Sequence, residues 1–491
     1  MLYVTLSLYS WTYPNYNTIK QISLSRKREL PLLEKVKITD IGSEGNAVAR
    51  VKNLVVFTPM LIPGDVVDIQ VTRKRRKYLE GIPVRFHEYS KDRINPVCSH
   101  FGICGGCKWQ HLPYDKQLYF KRKQVVDNLC RIGKLELPEI RPVIGSGNEL
   151  LYRNKLEYTF SSRRWLTREE ILSSEDITQE KALGFHIPGL FDKVLNINYC
   201  HLQPEPTNSI RNAVREFTQD KKFEYYDYRE QKGYLRNLII RNSLNGEVMV
   251  IVVFHHSDIA SREELLDFIH NKFPEITSLM YIVNPKRNES ISDLEVSLYR
   301  GKDYITESID GLVFRIGPKS FYQTNTGQAM VLYRKVKDFA ALTGKDIVYD
   351  LYTGTGTIAN YVADAAEKVI GIEYIDSAIR DAETNSGLNG IKNTLFFSGD
   401  IKDILSERFF RANGFPDVII TDPPRAGMHG QVVRSILSAA PSRIVYVSCN
   451  PATQARDLQL LEARYRIAAV QPVDMFPQTH HIENIVLLLR K

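Results

Sequence analysis

Beyond about residue 311 the chain alternates short apolar runs with longer stretches whose apolar positions recur at helical spacing. The runs fall at 347–352, 369–373, 394–397, 417–421, 443–448 and 484–489, with helical spacers such as 451–464. Strands that are apolar throughout, separated by helices, predict a doubly wound α/β domain over 311–491 with its ligand at the carboxyl ends of the strands. Between 34 and 93 the pattern shortens. Alternating, β-branched segments at 35–40, 47–51, 54–57 and 65–71, broken by turns at Gly42 and Gly45, predict a small all-β barrel. The intervening 94–310 reads as a mixed α+β domain, and its clearest element is a hairpin in which 234–241 and 248–254 flank an Asn245-Gly246 turn. Residues 1–33 read as an extension. Their first basic residue is Lys20, so the basic leader of a secretory signal is missing.

Composition adds limits. A chain of 491 residues, a quarter of them charged and with no long apolar run, predicts a soluble protein of three domains with no membrane span. Net charge is +8, from 65 basic and 57 acidic residues, but the basic residues are concentrated at 73–77, with Arg85, Lys91 and Arg93 close behind. Such a stripe suits a polyanion, and a basic-rimmed barrel commonly binds single-stranded nucleic acid; a solvated charged face is the plainer alternative. Arg153, Lys155, Arg163, Arg164, Arg236 and Arg241 alternate with apolar residues in the central domain. They fit an RNA groove or the outward positions of a half-buried sheet.

Six cysteines are too few for a disulfide scaffold in a chain of this length. Cys98, Cys104 and Cys107 lie within ten residues, with Gly105 and Gly106 letting the backbone wrap a metal core, and Cys200 is the candidate fourth ligand. Spacing alone does not separate an iron–sulfur cluster from a four-cysteine zinc site. A radical enzyme would need a different triplet, and the glycine loop at 354–356 already provides a separate cofactor site. Free thiols as ligands place the chain in a reducing compartment, the cytoplasm.

That glycine loop follows a strand that contains Asp350, and Glu373 lies about twenty residues on, as in folds that grip a ribose. A carboxylate just before the glycines suits a cationic cofactor better than a pyrophosphate, pointing to S-adenosylmethionine. Asp-Pro-Pro-Arg at 422–425 forms a rigid polar turn where a planar base can be held. Cys449, in Val-Ser-Cys-Asn-Pro at 447–451, stands at a strand end beside this site, placed for covalent chemistry. Each residue alone has a bland account: an isolated Cys is more often a small buried hydrophobe, Glu483 a surface carboxylate, His481 a satisfied histidine, Gln323 a loop amide.

Their order changes this. Phe-Tyr-Gln-Thr-Asn at 321–325, Asp-Leu-Tyr-Thr-Gly at 350–354, Asp-Pro-Pro-Arg at 422–425, Val-Ser-Cys-Asn-Pro-Ala at 447–452 and His-Ile-Glu at 481–483 resemble the RNA uracil-5-methyltransferase family. Residues 62–67 and 78–81 around the basic block resemble the TRAM domain, an OB-like RNA-binding module. With the thiol triplet, the resemblance extends over 34–491 and is to the branch that methylates uridines of 23S ribosomal RNA and carries a [4Fe–4S] cluster. It implies a Rossmann-like S-adenosylmethionine-dependent domain, Cys449 as nucleophile and Glu483 as base. It also implies Gln323, Tyr352, Glu373, Asp400 and Asp422 around the cofactor, Cys98, Cys104, Cys107 and Cys200 on the cluster, and a monomer acting on RNA. Thr353 departs from the family, where many members have Cys, but it belongs to the cofactor loop. Alternatives are a tRNA uridine methyltransferase, an enzyme acting on another base position or on DNA cytosine C5, for which a Pro-Cys nucleophile is expected, and a non-catalytic RNA-binding assembly factor.

Overall fold

The computed structural model describes residues 30–166, 170–171 and 181–491, so most of the predicted extension lies outside the described residues. The chain divides into two compact units, the first taking in, of the described residues, 30–96, 108–113, 165–166 and 170–171.

The first unit holds six strands: β1 (Leu32–Lys37), β2 (Asp40–Ile41), β3 (Ala47–Val51), β4 (Leu54–Thr58), β5 (Val66–Lys74) and β6 (Tyr78–Glu88), in the order β1-β5-β6-β4-β3-β2. Val36, Ile38, Ala47, Ala49, Val56, Val67, Ile69 and Val71 point inward into one core. Apolar alternation on β5 stops after Val71, so the strand outruns the core and its end carries the basic block into solvent; residues 73–77 are all exposed. Arg93 is not free for the stripe. Its guanidinium lies 2.6 Å from Asp65, whose carboxylate is wholly buried, and neutralises that charge.

In the second unit β7 (Lys155–Ser161), β8 (Ala182–His186), β9 (Val194–Asn196), β10 (Leu235–Asn242), β11 (Val248–Phe254), β12 (Ile276–Val283) and β13 (Ser297–Gly301) form a sheet ordered β13-β12-β11-β10-β7-β8-β9. The predicted hairpin is β10–β11, with Asn242 paired to Val248 and Gly246 at φ +80°. Both strands are buried along their whole length, which overturns the RNA-groove reading for two arginines. Arg236 donates to the carbonyls of Asn284, Lys286 and Asn288, and Arg241 to those of Gly317 and Ser320. A buried guanidinium needs partners for its donors, and the terminal nitrogens of both find them on backbone carbonyls.

After the ribbon β14 (Ile305–Ile309) and β15 (Leu312–Ile316) comes the α/β domain. It contains β16 (Ile347–Leu351), β17 (Lys368–Glu373), β18 (Thr394–Ser398), β19 (Val418–Thr421), β20 (Arg443–Ser448), β21 (Tyr465–Val473) and β22 (Glu483–Arg490), ordered β18-β17-β16-β19-β20-β22-β21. Neighbours are parallel except β22, which runs antiparallel to β20 and β21. Side chains alternate between two cores: Val348, Val369, Val418 and Val445 on one face, Tyr349, Ile370, Ile419 and Ile444 on the other. Burial on both faces explains the continuous apolar runs. Chain order reverses between β16 and β19, the switch point at whose strand ends open α/β sheets bind their ligands. Among the described residues no helix is long and apolar enough to cross a membrane.

Candidate active site

Cys449 sits between β20 and the helix Pro451–Leu461. The last pair of the β20–β22 ladder is Ser448 with Asn484, so continuing the antiparallel register by one step sets Cys449 opposite Glu483. Two local devices fix this corner. Asn450 caps the helix by accepting from the Ala452 amide at 3.1 Å. Beneath it the buried Gln454 donates to the carbonyls of Tyr446 and Asn484 and accepts from Asn484 Nδ2 at 2.7 Å, locking helix to both strands.

The 422–425 turn leaves the end of β19 and is stitched to the same corner, because the Arg425 carbonyl accepts from Asn450 Nδ2 at 3.0 Å and from the Thr453 hydroxyl at 3.1 Å. The groups so gathered feel one another's charge. Burial first, then the Glu483 and Asp422 carboxylates, push the Cys449 thiol up to about 11, and only Arg425 among the charged neighbours pulls it down. Burial and Asp422 likewise raise Glu483 well above the usual carboxylate range, again opposed by Arg425. Asp422 is pushed up to about 7 by burial and by Asp350. Arg425, a motif residue with no role assigned from sequence, is therefore the positive counterweight of the site, and its Nη2 lies 3.3 Å from His481 Nδ1. Tyr333 was missed altogether. It is buried in the helix Thr326–Ala340, and its hydroxyl is pushed up by burial and by Asp422, Asp350 and Glu483.

A second set lies around the loop after β16. Asp350 is 1% exposed; its Oδ2 accepts from the Thr353 hydroxyl at 2.6 Å, and its Oδ1 is buried with no hydrogen-bond partner. Burial holds it up at about 7. Tyr352 adopts φ +64°, and Gly356 sits at φ +75° where a Cβ would lie 2.7 Å from Ala382 Cβ, so the loop needs glycine there. Glu373, at the end of β17, accepts from the Gly354 and Ile375 amides at 3.2 and 3.1 Å. The Tyr352 hydroxyl is raised to about 12 by burial and then by Asp457, Asp400 and Glu373. Asp400 caps the helix Ile401–Ile404 and pairs with Lys402 at 2.6 Å. Gln323 joins neither set through a direct hydrogen bond among the described residues; its carbonyl accepts from Asn154. An unsatisfied buried carboxylate oxygen beside a carboxylate-lined glycine loop fits the cationic amino-acid end and the ribose of S-adenosylmethionine.

The segment leading to Glu483 is anchored by something the sequence did not announce. Lys121 and Asp474, both fully buried, form an ion pair at 2.6 Å, and Tyr114 donates to the same carboxylate at 3.0 Å. Gln117 bonds Gln478, and Tyr152 donates to the Pro477 carbonyl. The signal was available: Gln117 and Lys121 occupy the same i, i+4 stripe of the helix Tyr114–Arg131 as Val125 and Leu129, so polar residues stand where apolar ones are expected.

Cys98, Cys104 and Cys200 lie near enough for their charges to act on one another, and Cys107 follows Cys104 by three residues. His100 accepts from the Asn198 amide at 3.1 Å, linking the two cysteine segments. Gly105 has φ +74°, and a Cβ there would meet Pro188 at 2.2 Å. Burial and the charges of Cys104 and Cys200 raise the Cys98 thiol to about 11; burial chiefly raises Cys104 and Cys200. Yet among the described residues no three His, Cys, Asp or Glu side chains have metal-holding geometry. The donor chemistry of a sulfur-ligated centre is present and its coordination shell is not closed. The sixth cysteine, Cys130, is exposed.

The family described as tRNA (Uracil-5-)-methyltransferase matches residues 242–491, and the TRAM domain matches 34–84. An RNA methyltransferase of Bacteroides thetaiotaomicron is 57% identical over 451 residues, covering 91% of this chain and 99% of that protein. Another from Porphyromonas gingivalis is 55% identical over 462 residues, covering 93% and 99%. The chain belongs to the RNA (uracil-5-)-methyltransferase family. Among solved structures it is similar to the Pyrococcus abyssi tRNA (uracil-54, C5)-methyltransferase in complex with S-adenosyl-L-homocysteine, at 28% identity and TM-score 0.72, over 93% of this chain and all of that one. This RNA (uracil-5-)-methyltransferase is thus an S-adenosylmethionine-dependent enzyme with an α/β catalytic fold and a TRAM domain that takes RNA as substrate.

Proposed function

We propose that the protein methylates C5 of a specific uridine in 23S ribosomal RNA through a covalent adduct between Cys449 and C6 of the base. The observation that carries the mechanism is the Cys449–Glu483 juxtaposition in the β20–β22 register, with Asp422 and Arg425 acting on both groups. Cys449 adds to C6 as the thiolate, and the C5–C6 π electrons become an enolate with its charge on C5. Gln323, Tyr352, Glu373, Asp400 and Asp422 would hold S-adenosylmethionine, which would supply an electrophilic methyl group to that carbon and be left as S-adenosylhomocysteine. Glu483 then removes the C5 proton, the C5–C6 double bond reforms and the thiolate leaves. Arg425 opposes the two carboxylates and keeps both Cys449 and Glu483 within reach of ionisation.

In this reading residues 34–93 form the TRAM-like barrel, 94–310 the central domain with the cysteine cluster and 311–491 the methyltransferase domain, and the enzyme works as a cytoplasmic monomer. The exposed basic block supports RNA binding by the barrel, since exposed cations gain most from displacing counterions on phosphate. What supports ribosomal over transfer RNA is the combination of that barrel with the thiol triplet. The transfer-RNA reading is favoured by the P. abyssi enzyme, whose substrate is tRNA. Mapping 5-methyluridine by mass in ribosomal and transfer RNA of a strain lacking the gene decides between them. Loss at one or two positions of 23S RNA with tRNA unchanged is expected; loss confined to tRNA transfers the assignment, and no loss anywhere leaves an RNA-binding factor.

Cys98, Cys104, Cys107 and Cys200 would hold a [4Fe–4S] cluster, four thiolates being the ligand set it needs. Protein purified without oxygen should be brown and contain iron and sulfide at about four each, as the cluster's composition requires. Stoichiometric zinc without sulfide would replace the cluster with a four-cysteine zinc site.

A further inference from the structure

A cleft of about 330 Å³ is lined by His186, Phe191, Tyr228, Gln231, Arg287 and Glu289, none of which belongs to the methyl-transfer site or the cysteine cluster. Its size is at the small end of ligand pockets, which run roughly 300–1,000 Å³. Two features say what it can take.

One wall is an aromatic face offered to solvent. Phe191 is 67% exposed at the tip of the β8–β9 hairpin, on the rim of the cleft. The tip is held firmly. The Ile187 amide donates to the Lys193 carbonyl at 3.0 Å, Leu190 donates to Ile187 at 2.9 Å, and the neighbouring Asp192, 2% exposed, pairs with Arg229 at 2.5 Å. An aromatic carried on a backbone held in this way is presented as a stacking platform.

The floor is an oriented carboxylate. Glu289 Oε1 accepts from the Tyr228 hydroxyl at 2.6 Å and from Asn237 Nδ2 at 3.2 Å, with His186 Nε2 at 3.7 Å. Oε2 is left as an open acceptor, and the side chain remains 43% exposed. Burial raises this carboxyl, but the nearby His186 imidazole and the hydrogen bonds from Tyr228 and Asn237 outweigh it and hold the group at about 2, so it is ionised. Gln231 Oε1 and His186 Nδ1 are buried without partners, adding unsatisfied polar atoms to the lining, while Arg287 supplies donors. A carboxylate floor repels a phosphate and favours a flat ligand with N–H donors on its edge.

We propose that this cleft receives one unstacked nucleobase of the RNA substrate, stacked on Phe191 with an N–H of its edge donated to Glu289, at a nucleotide other than the one methylated. The proposal rests on the RNA-methylating reading above. RNA is recognised largely through splayed-out bases stacked on aromatic side chains and bonded along their edges, and the cleft combines both elements.

The test compares wild type, Phe191→Ala and Phe191→Trp in binding and methylating the RNA that the wild type modifies. Base–aromatic stacking is worth about 1–3 kcal/mol, so Phe191→Ala should weaken RNA binding by roughly 5- to 150-fold. KM for RNA should rise in step, with kcat and S-adenosylmethionine affinity unchanged. Phe191→Trp should restore binding. Because the lost contact is not to phosphate, the slope of affinity against salt should stay at the wild-type value. Unchanged RNA affinity in Phe191→Ala, or a loss that Trp does not restore, overturns the base-binding cleft while leaving the methyltransferase reading intact. A wild-type protein that methylates no RNA overturns both.

Discussion

Replacing Cys449 by alanine is expected to abolish both methyl transfer and any covalent protein–RNA species, while S-adenosylmethionine still binds. C5 of uracil is too weak a nucleophile to attack a methyl sulfonium unaided, and only addition of a thiolate at C6 places negative charge on it. No other group at the site can replace the thiol: Glu483 and Asp422 are carboxylates, and the remaining cysteines belong to the 98–200 neighbourhood or, in Cys130, to an exposed helix face. The thiol is a reluctant nucleophile in the free protein. Held at about 11, it is ionised in only about one molecule in 10⁴ at pH 7, so adduct formation in the wild type should accelerate as pH rises toward that value and slow as pH falls. Gel shifts under denaturing conditions read the adduct, and mass analysis of the RNA reads the product. An adduct formed by the alanine variant would show that another residue is the nucleophile.

Much of the catalytic domain was legible because its central strands are buried on both faces, which writes them as unbroken apolar runs; the six runs named from the pattern correspond to β16, β17, β19, β20, β22 and the partly buried edge strand β18. The strand that escaped notice, β21, lies at the sheet edge, is interrupted by a register shift between Ile467 and Ala469 and carries Ala468, Ala469 and Pro472, all weak strand signals. Site residues were legible wherever they sat in a short motif at a strand end. What was not legible is what the fold brings from far away. The pairing of Lys121 with Asp474 spans more than three hundred residues, and neither residue stands in a motif. Arg236 and Arg241 show the opposite failure, since alternation with apolar neighbours looked like outward exposure when the strand was buried on both sides and the guanidinium groups were held by backbone carbonyls. Periodicity reports which positions are polar, and only the tertiary structure says whether their partner is water or another segment.

Glu483→Gln is expected to stop the same reaction one stage later. The substitution keeps the side chain's size in a site where Glu483 is only 5% exposed, so the Cys449 corner should hold its shape, while the carboxylate that accepts the C5 proton is gone. It also removes one of the two carboxylates that raise the thiol, so attack on C6 should be no slower than in the wild type. Methyl transfer can then proceed, but elimination of Cys449 requires the C5 proton to leave first. Removing a general base commonly costs about 10²–10⁴ in rate, enough to make this step limiting. The expected result is an RNA that carries the new methyl group, stays attached to the protein through denaturing electrophoresis and is released only slowly. Asp422 does not rescue the step, because it belongs to the turn after β19 rather than to the strand facing Cys449. Turnover of Glu483→Gln at the wild-type rate would move the base to another residue. Accumulation of an adduct that is attached but not methylated would place Glu483 before methyl transfer instead of after it.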